Sequence, residues 1–381
     1  MDISFLVLVV IITALAFDFT NGFHDTANAM ATSIATGALK PKVAVAISAV
    51  LNLVGAFIST AVAKTISGGI VDDAKVTPAI IFGGLVGAIL WNLVTWLLGL
   101  PSSSSHALFG GLIGAVWIAS GSSAVHFSTV VSKILLPAVM SPIVCGVVAL
   151  LGTFLAYKIT GRARKKAQTE GFRHGQTISA SMVSLAHGTG DAQKTMGIIT
   201  LLLITSGHLS SNSGPPWWVI LLAGLAIASG TYMGGWRIIR TMGKGLADIE
   251  SPQGFAAETS STAVLLASSH LGFALSTTQV VSGGILGAGL GRKLAEVRWT
   301  LAGKMALAWC FTLPIAALVG GLSGKVADSG NGGVAIIAII AIVMVSGIYL
   351  LSRRNAVTAS NVNDGTTVTL EPAAATAGAA A

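Results

Sequence analysis

Two stretches decide the fold: "PSSSSHALFGGLIGA" at 101–115 and "ALSTTQVVSGGILGA" at 274–288. Each is a cluster of hydroxyl side chains followed directly by a Gly-rich apolar segment. Ser103 falls opposite Ser276 and, just upstream, Gly99 opposite Gly272. Either stretch alone reads as an ordinary helix cap. Two further pairs keep the same order along the chain. "NGFHDTANAM" (21–30) is echoed by "HGTGDAQKTM" (187–196), which sets Gly22, Asp25 and Met30 against Gly188, Asp191 and Met196. "TISGGIVD" (65–72) is echoed by "TMGKGLAD" (241–248). Three collinear pairs imply an internal duplication, since chance in a Gly-rich composition would produce one.

The material between these motifs is apolar. Hydrophobic residues make up 53% of the 381 positions and charged residues 9%, against roughly a quarter charged in soluble domains. Apolar runs at about 43–63, 79–99, 134–157, 217–235, 299–321 and 334–352 reach the roughly 20 residues that a bilayer span requires. The 46 glycines suit helices that approach closely in lipid. A multi-pass helical protein of the cell membrane follows. The net charge of +8 reports topology, and no nucleic-acid partner is expected, because the Lys and Arg residues cluster at the ends of spans. Cys145 and Cys310 both lie in apolar segments and imply neither a disulfide nor a metal site. Met1-Asp2 opens without the basic start of a signal peptide.

Charge placement orients the halves. The dense basic segment Lys158–Lys166 belongs on the cytoplasmic side, as do "KPK" (40–42) and "WRIIRTMGKG" (236–245), whereas "HLSSNSGPPWW" (208–218) carries no Lys or Arg. The second half is then inverted relative to the first, a build in which substrate binds near the midplane between repeats. This gives a first repeat over 1–157, a basic cytoplasmic loop over 158–175, a second repeat over 176–352 and a disordered tail over 353–381. For 79–120, charge counting allows either two full crossings or one re-entrant hairpin.

Polar residues inside a span face a bundle interior or a water-filled path. Asn21-Gly22 is therefore expected to break the first helix, leaving Asp25 and Asp191 in matched broken helices, though an interfacial cap for Asp25 and an Asp191–Lys194 pair remain open. Pro101 ends one helix, and the hydroxyl clusters start the next, whose free N–H groups favour an anion. Two such tips facing each other would cage a tetrahedral oxyanion. Glu258 could compensate a cation, relay a proton, or pair with Arg237, Arg240 or Lys244. His106, His187 and His270 show no metal-ligand spacing, so no metal site or cofactor is expected.

These residues resemble the PiT-type inorganic phosphate transporters, whose duplicated G-A-N-D-V-A-N-A-like and P-V-S-T-T-H-like motifs correspond to the two pairs quoted above. The resemblance runs from about Phe17 to about Pro314. It implies an all-α fold of two inverted-topology repeats with broken helices and two re-entrant hairpins, and symport of phosphate with Na⁺ or H⁺. Carried over to this chain, Ser103, Ser104, Ser105, Ser276, Thr277 and Thr278 would bind phosphate. Asp25, Asn28, Asp191 and Glu258 would serve the coupling ion. The family's asparagine before the aspartate is His24 in one half and Gly190 in the other, both first-tip threonines are serines, and the second tip lacks its proline and histidine. Bacterial members with the "GFHDTANA" form are thought to move phosphate, free or as a neutral metal complex, with protons, so His24 joins the coupling residues and H⁺ is the expected ion, with Na⁺ the alternative. Rival readings are a sulfate transporter, a passive channel, and an enzyme acting on a phosphorylated lipid; no aligned nucleophile and base supports the last. The expected partners are phosphate, the coupling cation and the lipid bilayer; whether the chain forms a homo-oligomer is left open.

Overall fold

The computed structural model describes residues 4–292 and 297–364. Among these residues the chain is helical, and extended pairing is confined to two isolated bridges, Val71 with Val125 and Ala247 with Val297. In the first half, α1 (Phe5–Ala35), α2 (Pro41–Gly55) and α3 (Ala61–Gly69) precede a helical hairpin of α4 (Pro78–Leu97) and α5 (Ser104–Ser120). A long helix, α6 (Phe127–Thr160), closes that half. The second half repeats the order with α7 (Lys165–Thr205), α8 (Trp217–Met233) and α9 (Trp236–Gly245). Its hairpin is α10 (Ser251–His270) and α11 (Thr277–Leu290), its closing helix is α12 (Trp299–Ala327), and α13 (Asn331–Ser352) follows. The two bridges flank the two hairpins in the same way.

Five helices, α1, α4, α6, α12 and α13, are long and apolar enough to cross a bilayer, and α8 with α9, bent by 61°, makes a sixth. The chain is a multi-pass membrane protein. Both hairpins turn the same way. Gly99 and Gly272 leave α4 and α10 at φ +65° and +69°, a left-handed conformation that only glycine adopts without strain. The hydroxyl motif then starts the returning helix, with Ser103 Oγ accepting from His106 N at 3.1 Å and Ser276 Oγ from Gln279 N at 3.4 Å.

Each hairpin is cradled by the closing helix of the other half: α12 packs on α4 and α5, and α6 packs on α10 and α11. The Gly-rich strings allow this. A Cβ at Gly114 would lie 2.0 Å from Ala317 O, and one at Gly287 1.9 Å from Gly146 O, so neither crossing could form with a larger residue.

Several expectations change in detail. The helix breaks do occur, but not at Asn21-Gly22: α1 runs through both residues, and α7 is likewise continuous through Asp191. Gly22 serves a close crossing instead, since its Cβ would meet Ile227 O at 2.3 Å. The breaks fall between α2 and α3, inside the expected single span 43–63, and between α8 and α9. The basic stretch 158–175 is helical on both sides of a short turn after Thr160. The tail's first part is seated against α9: Arg237 Nη2 donates to Asn355 O at 2.6 Å, Arg240 Nη2 to Asn361 O at 2.5 Å, and Lys244 Nζ to Asn363 O at 3.0 Å. The rest of the tail, 365–381, lies outside the described residues.

Candidate functional site

The two hairpin tips meet the middles of α1 and α7, and every polar residue at the junction is buried. Asp25 and Asp191 sit on the inner faces of the two matched helices. Ser104 Oγ donates to Asp25 Oδ2 at 2.9 Å, and Thr277 Oγ1 donates to Asp191 Oδ1 at 2.9 Å. Each aspartate is thus met by the first residue of its own half's returning hairpin helix.

The next pair crosses between halves. Asn28, one turn after Asp25, donates through Nδ2 to Thr278 Oγ1 at 3.1 Å. Thr278 Oγ1 in turn lies 3.4 Å from Asp25 Oδ2. The repeat alignment puts Lys194 where the first half has Asn28. Lys194 Nζ donates to Ser105 Oγ at 2.5 Å, the counterpart of Thr278, and to Asp191 Oδ1 at 2.5 Å. The halves are geometrically matched and electrically unmatched, because the second carries a buried ammonium where the first carries a neutral amide.

Two histidines complete the junction. His24 Nδ1 lies 2.7 Å from Asp25 Oδ1. Its Nε2 is 3.2 Å from Thr95 Oγ1 and 3.4 Å from Ser102 Oγ. A hydroxyl can donate or accept, so the partners of Nε2 suit both the neutral and the protonated ring. His187 Nε2 lies 3.3 Å from Asp191 Oδ2 without hydrogen-bond alignment, and its Nδ1 is 3.1 Å from Asn52 Oδ1. Ligand atoms of Asp25, His187 and Asp191 lie within 4.8 Å of one another, near enough to share one cation. No spacing in the sequence reveals that group, because its members come from two helices. Lys194 already supplies one positive charge beside it.

The structure therefore brings together Asp25, Asn28, Asp191, Ser104, Ser105, Thr277, Thr278 and His24. Ser103 and Ser276 stand at the tips, but their side chains are engaged in capping. Glu258 is elsewhere. It is buried between the end of α1 and the start of α7, where Thr32 and Ser33 donate to Oε1 at 2.6 Å each, Gln176 donates at 3.2 Å, and Ser179 donates to Oε2. Pairing with Arg237, Arg240 or Lys244, one of the three readings left open for it, is not formed among the described residues; those side chains donate to Leu97 O and to carbonyls of the tail. His106 approaches Gln279 Nε2 at 3.5 Å, so these repeat-matched residues also meet.

A model of the Phosphate transporter family matches residues 21–320. A protein of Mycobacterium tuberculosis (strain ATCC 25618 / H37Rv), named "Probable low-affinity inorganic phosphate transporter", is 56% identical over 94% of this chain and 87% of its own length. A Bacillus subtilis (strain 168) protein of the same name is 41% identical over 84% of this chain and 96% of its own. Among solved structures, one titled "The sodium-dependent phosphate transporter" superposes with a TM-score of 0.75, covering 84% of this chain and 98% of that one. At 23% identity it speaks to the fold.

Proposed function

The chain belongs to the phosphate transporter family, and on that premise we propose that it imports inorganic phosphate together with protons. The observation that carries the reading is the doubled junction of hairpin hydroxyls and aspartates: Ser104 on Asp25 and Thr277 on Asp191, both at 2.9 Å. Hydroxyls and helix N-termini donate to a tetrahedral oxyanion without the charge that would hold it too tightly. Lys194 adds one fixed positive charge beside them. When phosphate enters, the hydroxyls rotate from carboxylate to anion, and the aspartates need a cation or a proton in exchange. Bound anion and carried positive charge then cross as a nearly neutral unit, which lowers the cost of burial.

His24 favours the proton over sodium. Histidine is the side chain whose unperturbed charge change falls between about pH 5 and 8. This one touches Asp25, and its far nitrogen faces hydroxyls that accommodate both charge states. Where phosphate is carried as a neutral metal complex, the cluster of Asp25, His187 and Asp191 is where the metal would meet protein ligands.

Substrate identity is tested by competition. Labelled phosphate uptake into proteoliposomes is measured against excess sulfate at several pH values. Phosphate changes its protonation state near pH 7 and sulfate does not. The proposal expects sulfate to compete weakly throughout, and equal competition by both anions would overturn it.

A further inference from the structure

Asp18 lies two turns before Asp25 on the same face of α1 and is fully buried. Neither of its carboxylate oxygens has an aligned hydrogen-bond partner, although the Thr195 and Asn21 side chains lie within reach of the carboxylate. Beside it are the side chains of Asn21, on its own helix, and Thr195, on α7. Asn21 Oδ1 and Thr195 Oγ1 are likewise buried and unpartnered. Asp18 is thus a fully buried carboxylate without an aligned donor, in the interior of a membrane protein where buried polar groups are ordinarily paired.

The other acids at the junction are compensated. Asp25 has His24, Ser104 and Thr278. Asp191 has Lys194, Thr277 and His187. The ionisable groups facing Asp18 come from α7 and are Asp191 and Lys194. Lys194 donates to Asp191 and Ser105, and Asp191 brings a further negative charge. The repeat alignment sets Ser184 opposite Asp18, and Ser184 is satisfied by Ser48 Oγ and Ala180 O at 3.0 Å each. Asp18 is an acid that one half has and the other lacks.

We infer that Asp18, with Asn21 and Thr195, forms a proton-binding site beside the phosphate junction and carries a proton through the transport cycle. This rests on the proton-coupled reading above and adds a second carrier to His24. A proton completes the set. On a protonated Asp18 the buried charge is gone, the carbonyl oxygen accepts from the Thr195 hydroxyl, and the new O–H donates to Asn21 Oδ1 once that amide turns toward it. Sodium fits less well, because α1 and α7 run unbroken here and their carbonyls are engaged in helix bonds. Membrane sodium sites draw on unwound carbonyls. In the step itself an O–H bond forms on Asp18 with a proton from outer water. It breaks when the proton passes to inner water, and no electrons are exchanged.

The test uses wild type, Asp18→Asn and Asp18→Glu in sodium-free proteoliposomes. Two quantities are read: phosphate counterflow at equal pH, and uptake driven by an imposed pH gradient. Asparagine mimics the protonated acid, so Asp18→Asn should retain counterflow and lose the stimulation by the gradient. Asp18→Glu should regain it. A gradient response in Asp18→Asn equal to wild type overturns the inference and leaves the proposed function standing. A wild type driven by sodium and indifferent to pH overturns the proposed function itself, and this inference with it. If Asp18→Asn also abolishes counterflow, Thr195→Val decides. Removing that hydroxyl must displace the pH profile of gradient-driven uptake, and an unmoved profile overturns the inference.

Discussion

At the scale of the residue, the account turns on what touches Asp25 and Asp191. Each accepts from a hairpin hydroxyl and sits beside a histidine or a lysine, the partners that the proposed cycle has it exchange when anion and proton arrive. Replacing either with asparagine keeps the shape and removes the charge. Uptake of labelled phosphate by Asp25→Asn and Asp191→Asn should fall to background in protein that still folds; near-normal uptake would remove both from the mechanism. The hydroxyls are tested separately. Ser104→Ala, Ser105→Ala, Thr277→Ala and Thr278→Ala should each weaken phosphate binding by about 1–3 kcal/mol, the usual loss for a buried hydrogen bond. The exposed Ser210 and Ser211 serve as controls. Binding equal to those controls would reduce the tip hydroxyls to caps. The aspartates and tip hydroxyls were legible in sequence, because the duplication marks them and because polar residues are costly within spans, whereas His24 was reached through the form of the motif it sits in. Asp18 was not singled out, and Lys194 was read only as a possible pairing partner of Asp191. Asp18 has no repeat mate, and Lys194 reads as an i,i+3 partner of Asp191 until its reach to Ser105 is seen. Glu258 was legible as a buried acid, but its hydroxyl and amide donors lie far away in sequence.

At the scale of the element, helix crossings set the position of the tips. α5 and α11 return into the protein at glycines pressed against the backbone of α12 and α6. Gly287→Ala places a methyl carbon 1.9 Å from Gly146 O and must push α11 from α6. Overpacking costs about 1–3 kcal/mol or more. The melting temperature in detergent should therefore drop, and phosphate binding should weaken with it. Gly347→Ala, with nothing within 4 Å, is the control and should change neither. Equal melting temperatures for the two variants would contradict the crossing. The hairpins themselves were readable from paired glycines and hydroxyls. The site of the helix breaks was not, because a glycine beside a polar residue looks the same whether it ends a helix or lets two helices touch. At Gly22 it is contact with Ile227 O; at Gly234, before the bend, it is φ +75°. Hydropathy likewise passes over α7, whose buried face carries His187, Asp191 and Lys194, so it does not rank among the apolar spans.

At the scale of the whole molecule, two matched halves enclose one junction and differ in the charges they bring to it. Asn28 faces Lys194 in the repeat, His24 faces Gly190, and Asp18 faces Ser184. One buried ammonium and a set of protonatable groups therefore stand at the junction, and the proposed proton coupling rests on them. The most direct measurement is phosphate accumulation in sodium-free proteoliposomes with the membrane potential clamped. External pH is held constant, so that phosphate speciation outside does not change, and internal pH is raised stepwise. The account predicts accumulation that rises with the inward proton gradient, and a weakened response with a displaced pH profile in His24→Asn. Accumulation that ignores the pH gradient and appears only when a sodium gradient is imposed would contradict it.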